Sequence, residues 1–430
     1  MVKIKSTNDA WKQLIDEYDI EKKILENGYF KISAESIREL REPRLMVKFD
    51  QYNDLPEVLK RKGYTILPIS FKEYIIGNFE LYFKIEDEYA IKNNIQFENL
   101  AYDTLNLDTI SSESSAMLFA FNAKIIEDAL DTSASFTILG RMRTENFEFD
   151  VYRHDSHKKR VGTERISVAG SQIEIDGGFE SDEAIYLFET KNRFVDYINL
   201  RQLYYPYRFW SSRTTKKIFP VFLVYLDFMF YVFIGEFEDP ENMNSFKIIE
   251  SKKYVISDEP ISFENICDIH DSLTPGVSNI TFPQADRFEK IIDLMQQLHE
   301  KSAMTSKDVT DYFGFNKRQT SYYTDAAIFL DLVVKEDKKI KLSALGKKLV
   351  KKKYKEKYLT IVKNMLSDVV FFEVFRQLRT EGKIPNKTCI ENLIRKYYPP
   401  AKKIDSGTPH RRAQTVIKWI EWINSLTDNY

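Results

Sequence analysis

Apolar positions along this chain change their spacing several times, and each change marks a different kind of element. Trp11, Leu14, Ile15 and Tyr18 recur at helical spacing, with Asn8 placed to cap them, and Ser33 can cap a second short helix through Ile37 and Leu40. After Glu42-Pro43 the pattern becomes extended, over Leu45 to Phe49, Tyr64 to Ile69, and Tyr74 to Phe83 with a break at Gly77. From Ser111 to Leu130 one long helix is predicted, its broad apolar face formed by Met117, Phe119, Phe121, Ile125, Ile126 and Leu130. A strand pair follows, Phe136 to Arg141 and Phe147 to Tyr152, turning at Thr144-Glu145-Asn146.

The segments Ile173 to Asp176 and Ala184 to Lys191 are rich in β-branched and aromatic residues, and turn-forming residues from Gly177-Gly178 to Ser181-Asp182 separate them. They predict a hairpin. Strand side chains alternate, so Glu189 and Lys191 share one face while Phe188 and Thr190 take the other. A carboxylate and an amine thus project from a strand that is otherwise apolar, and such charges are costly to bury without partners. If Asp176 faces the same pocket, the site holds two carboxylates and a lysine, and the carboxylate oxygens are hard ligands of a kind that suits Mg²⁺. Beyond Lys191, Ile198 to Trp210 predicts a helix interrupted or ended by Pro206. Strands are then expected over Phe219 to Leu226, Phe228 to Ile234 and Phe246 to Ile256.

Near Phe282 the pattern turns helical for good. Phe288, Ile291, Ile292, Met295 and Leu298 make an amphipathic helix, Thr305-Ser306 caps a short one, and Gly314 supplies a turn. The next helix opens on Lys317, Arg318, Gln319 and Ser321, and Leu332 to Leu342 can form a β-wing around Asp337-Lys338-Lys339. This is a winged helix-turn-helix pattern, with long polar groups where a major-groove reader needs them; Lys317, Arg318, Gln319, Ser321, Lys338 and Lys339 are candidate DNA contacts. A purely protein-binding winged helix is the competing reading. A lysine-rich stretch, Lys335 to Lys357, favours a polyanion. Val369 to Leu378 and, capped by Asn386, Lys387 to Tyr397 are further helices, the latter ended by Pro399-Pro400. After Ser406-Gly407 a last helix, capped by Thr408, carries Arg411, Arg412 and Gln414 at its N-terminus, a second helix-turn-helix-like unit. Trp419 and Trp422 are expected to anchor that helix.

The chain has 430 residues, 43% hydrophobic and 30% charged, as expected of a globular protein of two to four domains. Its net charge of −2 argues neither for nor against nucleic acid. Cys267 and Cys389 form no CxxC or Cys/His cluster, which argues against a zinc site and a disulfide framework and fits a reducing cytoplasm. No apolar run reaches bilayer length, so the expectation is a cytoplasmic protein with no membrane partner.

At Asp176, Glu189 and Lys191 the sequence resembles the PD-(D/E)xK nuclease superfamily, and more narrowly its type II restriction endonucleases. In these an Asp, a strand-borne Glu-x-Lys and a divalent metal cut a phosphodiester bond. The position before Asp176 is Ile175 where the motif has proline. The order helix, strand, strand, then the Asp176 and Glu189 strands is that of the restriction-endonuclease core, a mixed sheet flanked by helices. The resemblance implies Mg²⁺ held by Asp176, Glu189 and the Thr190 carbonyl, and Lys191 acting on the attacking water. It implies Gln202 near the scissile phosphate and Glu113 completing the metal shell, although Glu113 equally suits the first turn of its helix. It also implies double-stranded DNA as partner, a homodimer for palindromic sites, and functional pairing with a cognate DNA methyltransferase.

The stretch Glu42 to Asp50, with Ile66-Leu67-Pro68-Ile69, also resembles the amino-terminal part of some type II restriction enzymes. Arg38, Arg41, Arg44 and Lys48 could touch phosphates or form a solvated face. The loop His154, Asp155, His157, Lys158, Lys159 and Arg160 is a further candidate phosphate contact or a plain flexible loop. The expected organisation is α+β and multidomain: an N-terminal α+β module (1–100), a restriction-endonuclease-like mixed-sheet core flanked by helices (101–280), a winged-helix domain (281–360) and the second helix-turn-helix-like module (361–430). Two other functions fit the same pattern: a winged-helix DNA-binding regulator with an inert nuclease-like core, and an endonuclease that depends on base methylation.

Overall fold

A computed structural model describes residues 6–91, 93–155, 159–398 and 408–427. His157, Lys158, Pro399, Pro400, Ser406, Gly407 and the Thr408 side chain, named above, lie outside the described residues.

The chain begins with helices α1 (Thr7–Glu17) and α2 (Ile20–Asn27), strand β1 (Tyr29–Ser33), and helices α3 (Ala34–Arg38), α4 (Pro43–Val47) and α5 (Glu57–Lys62). Ser6, not Asn8, caps α1 by accepting from Asp9 N; Asn8 instead accepts from Val58 N at 2.9 Å, tying α1 to α5. Leu45 to Phe49, expected to be extended, opens as helix α4 because Pro43 sits in its first turn, where a missing N–H costs nothing. Strands β2 (Thr65–Pro68) and β3 (Glu73–Gly77) complete a three-stranded sheet ordered β1-β3-β2, whose helices bury Trp11, Leu14 and Ile37 around Ile76.

Next come β4 (Tyr82–Lys84) and β5 (Asn94–Phe97), which lie inside the predicted first module yet belong with the core: β5 runs parallel to a core strand some 160 residues away in sequence, as given below. The predicted long helix is two, α6 (Glu113–Asn122) and α7 (Ile125–Ala129), because Lys124 adopts a left-handed φ of 66° between them. Strands β6 (Ser135–Arg143), β7 (Asn146–His154), β8 (Arg160–Ala169), β9 (Gln172–Glu180), β10 (Ala184–Lys191) and β11 (Tyr197–Asn199) follow, then α8 (Leu200–Ser211) and β12 (Lys217–Leu226), β13 (Met229–Phe237) and β14 (Phe246–Ile256). The predicted pairing of β6 with β7 does not form: β7 pairs with β8, a strand that local patterning did not predict, and β6 pairs antiparallel with β9.

The central sheet is mixed and seven-stranded, in the order β5-β14-β13-β12-β10-β9-β6, with β10 parallel to β12 and β14 parallel to β5. Alternation along β12 shows why it is the middle of the molecule. Val221, Leu223 and Tyr225 pack with α6 and α7 on one face, while Phe222, Val224 and Leu226 join the core under α8 on the other. Helix α8 runs straight through Pro206, since its buried face of Leu203, Tyr204, Tyr205 and Phe209 outweighs the few kcal/mol that a helix-interior proline costs.

The last part is helical: α9 (Phe263–Ser272), α10 (Phe288–Lys301), β15 (Met304–Thr305), α11 (Ser306–Phe313), α12 (Lys317–Phe329), β16 (Val333–Glu336), β17 (Lys339–Leu342), α13 (Ala344–Leu349), α14 (Tyr354–Leu366), α15 (Val369–Glu381), α16 (Lys387–Tyr397) and α17 (Thr408–Asn424). A three-stranded sheet, β15-β17-β16, packs beside α10 to α12, and its hairpin turns on Asp337 and Lys338, both with positive φ. Gly314, at the end of α11 with φ 62°, could not carry a Cβ, which would meet Asn53 at 2.2 Å. Trp419 and Trp422 of α17 pack on Phe288 of α10, so one core runs across the expected boundary at residue 360. The protein is α+β, and among the described residues no helix is long and apolar enough to cross a membrane.

Candidate functional site

Strands β9 and β10 pair antiparallel from Ile185 opposite Glu180 to Phe188 opposite Gly177, and there the ladder stops. Gly177 and Gly178 therefore lie within β9 rather than in the turn, which falls at Ser181 to Glu183. Gly178 lies opposite Ile138 of the neighbouring strand β6, where a Cβ would sit 2.6 Å from Ile138 Cβ, and a Cβ on Gly177 would press on Phe136 and Met117 at 3.3–3.4 Å. Past the last pair the two strands separate, and the Asp176 side chain takes over, its Oδ2 accepting the Thr190 N–H at 2.8 Å. The gap where a paired ladder gives way to side chains is where the acidic residues collect.

Glu189 and Lys191 point the same way, as alternation requires, with Lys191 Nζ donating to Glu189 Oε1 at 2.5 Å. The ammonium also donates to Glu113 Oε1 at the start of α6 and to the Thr190 carbonyl, each at 3.2 Å. Gln202, in the first turn of α8, donates to Glu189 Oε1 as well. All five predicted catalytic residues thus meet around one point, although they come from β9, β10, α6 and α8. They line an open cleft of about 660 Å³ together with Arg201, Arg141 and Glu174, and with Arg38, Arg44 and Lys48 from the N-terminal module.

The electrostatics are unbalanced toward acid. Lys191 pairs with Glu189 and Glu113, and Asp176 lies near enough to feel its charge. Burial pushes the Glu189 carboxyl up to about 7, with Lys191 opposing and Asp176 and Glu113 adding to the rise. Asp176 is also raised, again mainly by burial, against the Thr190 N–H and the Lys191 charge. Lys191 is buried too, which opposes its charge, yet Glu189 and Glu113 hold its pKa above the ordinary lysine value.

Among the described residues no group of three or more His, Cys, Asp or Glu side chains is gathered closely enough to hold a metal ion unaided. Magnesium does not need one. It is commonly held by one or two carboxylates with water and phosphate oxygens filling the remaining positions. Asp176 Oδ1 and Glu189 Oε2 accept no hydrogen bond among the described residues, and the charged form of Glu189, disfavoured first by burial and further by Asp176 and Glu113, is what a divalent cation would favour. The donor set therefore fits Mg²⁺.

The predicted DNA-contact residues fall into two groups. Lys317, Arg318, Gln319, Ser321, Lys338, Lys339 and Arg411 are exposed and Gln414 is half-buried. Some are engaged locally: Gln319 Oε1 accepts the Asn316 N–H as part of the helix cap, Ser321 donates to Asp325, and Arg318 to the Tyr322 hydroxyl. Arg412, expected to contact DNA, instead faces inward: it is 6% exposed, its Nε has no hydrogen-bond partner among the described residues, and burial beside Tyr322 and Tyr398 lowers its pKa. The lysine-rich stretch is partly taken up by the protein's own acids, Lys353 by Asp258, Lys355 by Glu259 and Lys357 by Asp227. In the polar loop, His154 and Arg160 both hold Glu80. Arg141, Lys72 and Tyr74 line the cleft unforeseen; the register of Arg141 opposite Glu174 depends on a strand pairing some thirty residues apart, which no local pattern announces.

Three family models match the chain. Residues 8–76 match a domain of unknown function (DUF6996), residues 77–255 a second (DUF6997) and residues 290–428 a third (DUF7226). No curated protein and no solved structure was found to match it.

Proposed function

We propose that this chain is a Mg²⁺-dependent endonuclease of the type II restriction class, hydrolysing double-stranded DNA at or near a short recognised sequence. The observation that carries the reading is the meeting of Asp176, Glu189 and Lys191 in one open cleft, at the point where two neighbouring strands of a mixed sheet part. The sheet with α6 and α7 on one face and α8 on the other is consistent with a restriction-endonuclease-like core. The unit α10 to α12 with β15 to β17 is consistent with a winged helix whose exposed Lys317, Arg318, Lys338 and Lys339 meet the duplex.

Asp176, Glu189 and the Thr190 carbonyl would hold the metal, which supplies a water of lowered pKa and charge neutralisation at the phosphate. Lys191, kept protonated by its acidic neighbours, orients that water through Nζ and stabilises charge growing on the phosphoryl oxygens. Gln202 fixes the carboxylate plane of Glu189. Glu113, 45% exposed at the cleft edge, shares the Lys191 ammonium. A homodimer acting on both strands, and a cognate methyltransferase protecting host DNA, belong to the same reading.

Incubation of the full chain with plasmid and Mg²⁺ should give discrete fragments. Asp176→Asn, Glu189→Gln and Lys191→Ala should each lose about 10³-fold or more in rate, some 4 kcal/mol of barrier, while still retarding DNA in a gel. A gel shift without cutting by the wild type would favour a regulator with an inert core. Fragments only from methylated plasmid would make the enzyme methylation-dependent.

A further inference from the structure

The cleft has two walls of different origin. Its floor is the acidic cluster on β9, β10 and α6, but another wall is α3, α4 and their exit in the N-terminal module, which bring Arg38, Arg44 and Lys48 to the cleft beside Glu35, Glu42 and Asp50. Lys48 has a partner, Asp50 at 3.6 Å. Among the described residues Arg38, Arg44 and, on α8, Arg201, all lining the cleft, make no ion pair with a carboxylate, and Arg38 and Arg44 are exposed. Tyr74 of β3 lines the same cleft, and its pKa, raised by burial, is held back by the charges of Arg201 and Arg38.

An arginine with no internal acid to satisfy is available to an external one. The floor of this cleft, with three carboxylates, repels a polyanion unless cations on the walls draw the backbone in. Guanidinium suits that task, because its fork of N–H donors matches the oxygens of a phosphodiester. We infer that the N-terminal module is a phosphate clamp: Arg38 and Arg44, with Arg201 of α8 in the same cleft, grip backbone phosphates of the DNA strand lying over Asp176 and Glu189. The inference rests on the nuclease reading for what lies in the cleft, but it assigns the α3–α4 wall a sequence-independent role distinct from the groove reading of α12.

The test reads binding apart from cleavage. A fluorescently labelled mixed-sequence duplex is titrated with the full chain in EDTA across a series of salt concentrations. Removing one arginine from a phosphate should reduce the slope of log affinity against log salt by about 0.9, so Arg38→Gln/Arg44→Gln should flatten it by about 2. Arg38→Lys/Arg44→Lys, which keeps both charges, should restore the slope. Arg61→Gln, at a residue of the same module outside the cleft, should leave it unchanged. A double Gln variant with wild-type slope and affinity, or a wild type with no salt-dependent binding, overturns the clamp. Plasmid cleavage in Mg²⁺ separates the two ideas. If the wild type cuts and the double Gln variant cuts with unchanged KM, the clamp falls and the nuclease stands. If the wild type never cuts but the Gln pair still loses slope, the clamp stands and the nuclease falls.

Discussion

Two of the buried lysine–carboxylate pairs among the described residues are built for different ends. Lys357 of α14 lies 2.8 Å from Asp227, in the turn between β12 and β13, with side chains 0% and 5% exposed. Asp227 also receives the Tyr358 hydroxyl at 3.0 Å and the Gln296 amide, so one negative charge is met by one positive charge and two neutral donors. Lys191 and Glu189 are nearly as buried, at 6% and 8%, yet here one lysine pairs with two acids, Glu189 and Glu113, and a third, Asp176, lines the same open cleft. The first pair is neutral in itself and fastens the helical region to the sheet. The second leaves charge unanswered beside solvent, which is the arrangement expected where a cation and a substrate arrive.

Breaking the sealed pair should have the largest effect on folding. Lys357→Ala leaves Asp227 charged and desolvated and should cost about 3–5 kcal/mol in chemical denaturation. If it costs no more than Glu189→Gln, the contrast between the two pairs is wrong.

Asp293 sharpens the comparison, being sealed without a lysine. It accepts from the Tyr312 hydroxyl and the Phe194 N–H, and burial, opposed by Tyr312, Arg193 and Phe194 and aided by Glu300, pushes its carboxyl up to about 7. A raised folded-state pKa means the folded chain holds a proton that the unfolded chain has released. Its contribution is therefore complete below about pH 4 and is lost as pH rises through 7, on the order of 2–4 kcal/mol in all. Denaturation profiles between pH 4 and 8 should flatten in Asp293→Asn; an unchanged profile would show that Asp293 does not titrate there.

The smallest effect concerns the open pair. Mg²⁺ at a hundredfold excess over its Kd should stabilise the wild type by about 2–3 kcal/mol, seen as a higher melting temperature, and EDTA should reverse it. Asp176→Asn should abolish the shift. A shift that survives in that variant would place the ion elsewhere.

Charge patterns were the least faithful guide to where charge would act. Arginines near residue 40 read more readily as a solvated face than as phosphate contacts, yet Arg38 and Arg44 wall the cleft, whereas lysines after residue 350 read as a polyanion site and three of them are taken up by Asp258, Glu259 and Asp227. Neither outcome is local, because each depends on an acid or a wall more than ninety residues away. The β9 and β10 strands and the helix carrying Gln202 were legible because alternation and helical spacing are properties of adjacent residues. The partner of β6, the break at Lys124 and the extension of β9 through its glycines were not, since they answer to what packs against them.

The amino-acid order alone determined that Glu189 and Lys191 share a strand face, that apolar strands would stack into a buried sheet, and that a helical C-terminal half would follow. Backbone geometry with a period of two or 3.6 residues is enough for that. Tertiary structure decided that Asp176, Glu113 and Gln202 join them, that α3 and α4 close the cleft, and that Arg412 turns inward. Those outcomes depend on long-range packing and on the cost of leaving charge in a dry interior, which sets which groups must find a partner and which remain free to meet one from outside.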